Sequence, residues 1–173
     1  VERVISTMLD SDKPAVVDAD ALRLLPEGRG RFPRSAPTVL TPHPGEMRTL
    51  LQGYGLNGYI AAERRAQAVA LAETLHAFVV LKGMCTIIAS PEGAATVNTS
   101  GNSGLSSGGS GDVLSGMIGS FLAQGMSSWD ACKTAVFVHG HAADMAAKGT
   151  RALVADDLVE GLPETFADVT PFA

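Results

Sequence analysis

Apolar positions along this chain fall into two rhythms that alternate with one another, short β-branched runs and longer stretches with a period near 3.6 residues. Ala15-Val-Val-Asp-Ala-Asp20 follows Pro14 and stops at two acids, which predicts a buried strand ending in a capping or functional loop. A Gly/Pro/Arg-rich loop from Glu27 to Pro37 comes next. Thr38-Val-Leu-Thr41 then predicts a second strand, closed by Pro42-His-Pro-Gly-Glu46, with Met47, Leu50 and Leu51 marking a short helix. Ile60 to His76 is rich in Ala, Glu, Arg, Gln and Leu at helical spacing and predicts a helix. Phe78-Val-Val-Leu81 predicts a strand. Thr86 to Ser90 and Ala95 to Asn98, joined through Pro91-Glu-Gly93, predict a hairpin. Val113, Leu114, Met117, Ile118, Phe121 and Leu122 paint one face of a helix. Ser127-Ser-Trp-Asp130 has the spacing of a capping box and opens a helix running to Lys148. Asp156 or Asp157 is expected to cap a last helix beginning near Leu158, and the chain opens at Val1 inside a helical stretch.

Strands that alternate with helices predict an α/β layered, mostly parallel sheet with helices on both faces. Ligands in such sheets collect at the carboxyl ends of strands. Asp18, His43, Lys82 and Asp112 follow predicted strands, so they are expected to converge on one face. The length of 173 residues suits one domain, and 46% hydrophobic with 18% charged residues, without repeats, favours neither a disordered nor a solenoid chain. A net charge of −5 argues against a general nucleic-acid binder, although a small anion can still be bound by local N–H groups and a few cations. Cys85, Cys132 and the four histidines lack metal-ligand spacing, so reduced thiols are expected. No run reaches membrane-spanning length and nothing at the start resembles a signal peptide, which makes the cytoplasm the expected compartment.

The richest stretch is Asn98-Thr-Ser-Gly-Asn-Ser-Gly-Leu-Ser-Ser-Gly-Gly-Ser-Gly-Asp112, a glycine-crowded loop ending in one acid at a helix start. Glycines allow close approach of a ligand to the main chain, and free N–H groups at a helix start favour an anion. The plainer alternative is that Ser110 or Asp112 caps the helix while the glycines turn the chain. Two familiar phosphate motifs are excluded. Leu114 stands where the dinucleotide fingerprint needs glycine, and no Gly-Lys-Ser/Thr closes the loop.

Val16-Val-Asp-Ala-Asp-Ala-Leu22, Leu40-Thr-Pro-His-Pro-Gly-Glu46, Val80-Leu-Lys-Gly83 with Thr86, and Asn98 to Asp112 occur in the order of the nucleotide-dependent NAD(P)H-hydrate dehydratases. The chain resembles that family, within the ribokinase-like superfamily, from about Pro14 to Pro163, including Ala152-Leu-Val-Ala-Asp-Asp-Leu158. Gly-x-Gly-Asp alone is shared by many ribokinase-like kinases. His-Pro-Gly-Glu combined with Gly-Asn-x-Gly-Leu is more specific.

The resemblance implies repair of NADH and NADPH hydrated at carbon 6 of the nicotinamide ring, with ADP or ATP phosphorylating the hydroxyl and phosphate then leaving. By matching positions, Asp112 is expected to handle the hydroxyl proton, and His43 to contact the hydrate. Lys82, Gly83, Met84, Cys85 and Thr86 are expected to hold the nucleotide, with Gly109, Ser110 and Gly111 around its phosphates and Asn102 lining the site. Mg²⁺ is expected from phosphoryl-transfer chemistry, without a visible ligand set. The resemblance also implies a homo-oligomer and a hydrate epimerase, fused or separate. Since the family's domain begins well before the strand at Val16, residues 1–173 are expected to be the C-terminal part of a single ribokinase-like domain, its opening strands missing.

Simpler readings stand beside these roles. His43-Pro-Gly can be a strand-to-helix turn with Glu46 in the first helical turn, and Lys82 an exposed strand-end lysine. Asp18 and Asp20 can cap a helix at Ala21. Of His139 and His141, one is expected to be packed and the other solvated, with no chemistry assigned. Arg23, Arg29, Arg31 and Arg34 are expected on a solvated loop face rather than steering phosphate. The rival functions are a ribokinase-like small-molecule kinase, for hydroxyethylthiazole or a similar alcohol, and a non-catalytic nucleotide-binding module.

Overall fold

The computed structural model describes residues 2–26, 32–146 and 153–170. Part of the Glu27–Pro37 loop, with Arg29 and Arg31, and also Lys148 and Ala152, lie outside the described residues. Strands β1 (Ala15–Val17), β2 (Thr38–Leu40), β3 (Phe78–Leu81), β4 (Ile87–Ala89) and β5 (Ala95–Val97) form one sheet in sequence order. β1, β2 and β3 pair parallel, and the hairpin adds β4 and β5 by antiparallel pairing. Only β4 therefore runs against the others.

Period-two alternation sorts the strand residues to two sides. Val17, Leu40, Val79, Leu81, Ile87 and Ala89 pack beneath helices α1 (Glu2–Leu9), α2 (Asp20–Leu24), α3 (Pro44–Gly53) and α4 (Arg64–Leu75). Val39, Val80 and Ile88 pack on the other side against α5 (Ser110–Ala123) and α6 (Ser128–Met145), whose neighbour is α7 (Ala155–Val169). The register agrees, since Val80 opposes Ile88 and Leu40 opposes Val79. A sheet covered on both faces holds its strand ends rigidly, and the carboxyl ends of β1, β2, β3 and β5 share one edge. Among the described residues no helix is long and apolar enough to cross a membrane.

Two predicted helix starts are corrected. α4 begins at Arg64 rather than Ile60, because Leu56 to Ala62 bonds from i to i+3, as in Tyr59 N–H to the Leu56 carbonyl and Ala62 N–H to the Tyr59 carbonyl. α7 begins at Ala155. Asp157 lies inside its first turn and reaches back to accept the Val154 N–H at 3.1 Å. Ser127 caps α6 as expected, accepting the Asp130 N–H at 3.2 Å. Arg34 does not sit on a solvated face. Its guanidinium donates to the carbonyls of Met8, Leu9, Ser11 and Lys13 and to Thr38 Oγ1, and so ties the end of α1 to the start of β2.

Candidate active site

Asp18, at the end of β1, is the anchor of the strand-end edge. Its carboxylate receives the Lys82 ammonium from the end of β3 at 2.6 Å and the Ser115 hydroxyl from α5 at 2.8 Å, and it also accepts the Ala19 N–H at 2.8 Å. Thr41, buried at the end of β2, has its hydroxyl 3.5 Å from that of Ser115. Burial raises the Asp18 pKa, but the Lys82 and Ser115 contacts outweigh it and hold the carboxyl below its ordinary value. Ala19 is left at φ 52, a backbone position costly for a residue with a Cβ and often found beside functional sites. Asp18 is thus an ion-pair partner at the sheet edge, and α2 starts at the exposed Asp20 with no side-chain cap.

The start of α5 meets this pair. A Cβ added at Gly111 would lie 3.4 Å from Lys82 Nζ and 3.6 Å from Asp18 Oδ2, which places the lysine and its partner carboxylate in van der Waals reach of the helix terminus. The capping alternative for the glycine loop is not what the helix uses. Its N-cap is Gly109, at φ 86, and no side chain caps it; the Ser110 hydroxyl turns back to the Leu105 carbonyl instead. Among the described residues no acceptor takes the N–H groups of Gly111 and Asp112. Free N–H groups, the helix dipole and a lysine within contact distance make this terminus receptive to an anion.

A cleft of about 410 Å³ opens between the loop after β3 and the glycine loop, within the usual range of small-molecule sites. Lys82, Gly83, Met84, Cys85, Thr86, Asn102, Ser110 and Gly111 all line it. Three predicted site residues are not on its wall: Gly109 behind the helix start, Asp112 exposed in the first turn of α5, and His43 exposed at the end of β2. Asn102 lines the cleft with its polar atoms already engaged. Its amide donates to the Ala143 carbonyl and to Asp144, and its oxygen accepts the Gly104 N–H.

His43 occupies the structural alternative in full. Its Nδ1 accepts the N–H groups of Gly45 at 2.9 Å and Glu46 at 3.2 Å, while the Glu46 carboxylate accepts the His43 N–H at 2.7 Å. This capping box leaves the proton on Nε2, 3.4 Å from Glu46, with the ring half exposed.

His139 is the packed histidine. It lines the cleft floor and donates from Nε2 to the Ser110 carbonyl at 2.9 Å. His141 is the more exposed one, paired with Asp168 at 2.7 Å and stacked on Phe137. Burial above all, with the Lys82 charge nearby, holds the His139 imidazole below its ordinary 6.5, although the Ser110 bond opposes this. The unfolded chain takes that proton near 6.5 and the folded chain only at lower pH, so stability drops as pH falls below 6.5. His139→Gln keeps a donor for Ser110 and is expected to flatten thermal stability against pH in that window. An unchanged slope would contradict the assignment.

Sequence reasoning missed Arg64, whose guanidinium binds the loop after β3, and it missed Ser115 and Thr41 as supports of Asp18. A faint signal existed for Arg64, because a cation in the first turn of a helix opposes the dipole and needs another reason to be there. Among the described residues no group of three or more His, Cys, Asp or Glu side chains is arranged to hold a metal.

The fold is ribokinase-like α/β, built around a glycine-rich helix start, and a ribokinase-like superfamily protein from Enterococcus faecalis superposes on it with a TM-score of 0.82 at 27% identity over 96% of this chain and 58% of the other. The profile of the NAD(P)H-hydrate dehydratases matches residues 1–164, and the chain belongs to that family. A bifunctional NAD(P)H-hydrate repair enzyme from Thermofilum pendens is 44% identical over 88% of this chain and 29% of its own length. The ADP-dependent (S)-NAD(P)H-hydrate dehydratase of Neisseria meningitidis is 44% identical over 78% of this chain and 46% of its own. The chain thus spans less than half the length of these curated relatives. The crystal structure of the ADP/ATP-dependent NAD(P)H-hydrate dehydratase from Bacillus subtilis, co-crystallised with ATP/Mg²⁺, superposes with a TM-score of 0.83 at 32% identity. That match covers 97% of this chain and 59% of the other.

Proposed function

We propose that the protein is a carbon–oxygen lyase that returns hydrated NADH and NADPH to the reduced coenzymes, using ADP or ATP as phosphoryl donor. The observation that carries this reading is the uncapped start of α5, with Lys82 held against Gly111 at the mouth of the cleft. The nucleotide lies along Lys82 to Thr86, and its terminal phosphoryl group meets the N–H groups of Gly111 and Asp112. Asp112 takes the proton from the hydrate's hydroxyl as that oxygen attacks phosphorus. Phosphate then leaves carbon 6 with its bonding electrons, and the neighbouring ring carbon loses a proton to form the double bond. Mg²⁺ bound to the phosphates would neutralise their charge during transfer.

His43 is expected to serve both as a cap and as a contact to the hydrate. His43→Ala removes the cap and should lower stability by about 0.5–2 kcal/mol, whereas His43→Asn retains a capping acceptor. Both variants should weaken hydrate binding and spare ADP. Wild-type hydrate affinity in His43→Asn would reduce the residue to a helix cap.

A homo-oligomer working in the cytoplasm beside a hydrate epimerase, fused or separate, belongs to the same reading, and the Thermofilum relative is named as bifunctional. The nearest rival is a ribokinase-like alcohol kinase, in which the same acid would activate a hydroxyl that keeps its phosphate. Turnover of hydrated NADH with ADP or ATP, set against phosphorylation of simple alcohols, tests one against the other.

A further inference from the structure

The last carbonyl of β3 and three carbonyls of the loop after it are gathered onto one cation. Arg64 donates from Nη2 to the carbonyls of Leu81 and Lys82, both at 3.1 Å, and from Nη1 to those of Met84 and Cys85. A guanidinium carries two hydrogens on each Nη, so all four are engaged. The carbonyl of a trans peptide and the N–H of the next residue point in opposite directions. Turning the carbonyls of Lys82, Met84 and Cys85 toward Arg64 therefore turns the N–H groups of Gly83, Cys85 and Thr86 away from it.

Two left-handed residues allow this, Gly83 at φ 134 and Cys85 at φ 56. Gly83 also makes room, since a Cβ there would lie 3.1 Å from Arg64 Nη2. Among the described residues no acceptor takes the three N–H groups, and their residues line the cleft. Successive N–H groups that share a direction form an anion-binding concavity, and the cation behind them adds to its positive potential. We propose that Arg64 is a positioning residue which presents the N–H groups of Gly83, Cys85 and Thr86 to a nucleotide phosphate, facing the Lys82 and Gly111 side of the same cleft. The hydrogen bonds of the Arg64 guanidinium go to Leu81, at the end of β3, and to this loop, so its effect on the ligand passes through that loop. The inference rests on the reading of this cleft as the ADP or ATP site.

The test titrates ADP by calorimetry into the full-length protein and its Arg64→Lys and Arg64→Ala variants. Amide hydrogen exchange across residues 83–86 and the nucleotide-free melting temperature are followed in parallel. Lysine keeps the charge but lacks the planar fork that reaches several carbonyls. Arg64→Lys is expected to raise the Kd for ADP roughly tenfold or more, the scale of one or two lost charge-assisted hydrogen bonds. ADP should slow exchange across 83–86 in the wild type but not in Arg64→Lys, and the nucleotide KM should rise far more than kcat falls. Unchanged ADP affinity in both variants, with only a lower melting temperature, overturns the positioning role and leaves the nucleotide reading standing. ADP that binds the wild type without slowing exchange across 83–86 overturns it too, and a wild type that binds no ADP overturns both. If Arg64→Ala does not fold, Arg64→Lys carries the comparison.

Discussion

Replacing Asp112 by asparagine is expected to lower turnover of hydrated NADH on the order of 10²-fold or more while leaving ADP affinity largely intact. The effect should be chemical rather than structural. α5 takes Gly109 as its N-cap without a side-chain cap, and the exposed Asp112 carboxylate accepts no hydrogen bond among the described residues. Losing its charge from the first helical turn removes about 0.3–1 kcal/mol of dipole interaction. Melting temperature and ADP titration should therefore barely move as kcat collapses. Near-normal kcat in Asp112→Asn would take the acid out of the mechanism, and with it the main reason for assigning group transfer to this helix start.

The second large effect is expected from Gly140→Ala, and its sign is decided by sterics. In an ordinary helix interior the change would stabilise by up to about 1 kcal/mol. At Gly140 the new Cβ would lie 2.3 Å from Ser100 Oγ and 2.7 Å from the Ser100 carbonyl carbon and oxygen, most of it backbone that cannot rotate aside. Ser100 is also anchored on α6 through the Phe137 carbonyl at 3.0 Å. Relief must push the glycine loop off α6, at a cost of about 1–3 kcal/mol for overpacking. Ser100 and Gly101 line the cleft, so ADP affinity should fall with stability. Gly116→Ala and Gly119→Ala on α5 meet nothing within 4 Å and are the controls, expected to be neutral or stabilising. A Gly140→Ala protein that melts and binds ADP like its parent would show that the loop does not depend on this contact.

Sheet and helices were legible because their signals are local. Val39, Val80 and Ile88 face one side and Leu40, Leu81 and Ile87 the other through simple alternation, and Ser127 announces α6 by its spacing to Asp130. The start of α4 was not legible, since Ile60, Ala61 and Ala62 continue its helical composition while the chain there still closes i to i+3 turns. Motif order brought Lys82 to Thr86 and Ser110 to Gly111 forward as a site, and these residues do share one cleft. The supports of that cleft stayed hidden for a physical reason. Asp18 binds Lys82 across 64 positions and Ser115 across 97, and Arg64 binds main-chain carbonyls, which leave no trace in side-chain pattern. His43 carried two legible meanings, a family motif and a turn, and the capping box realises the second without removing the first.

The most direct measurement incubates the full-length protein with hydrated NADH and either ADP or ATP, and follows reduced-nicotinamide absorbance together with released phosphate. The account predicts that NADH returns only when nucleotide is present, with phosphate released in equal amount and the nucleotide shortened by one phosphoryl group. Return of NADH without nucleotide, or a stable phosphorylated product with no NADH formed, would contradict it.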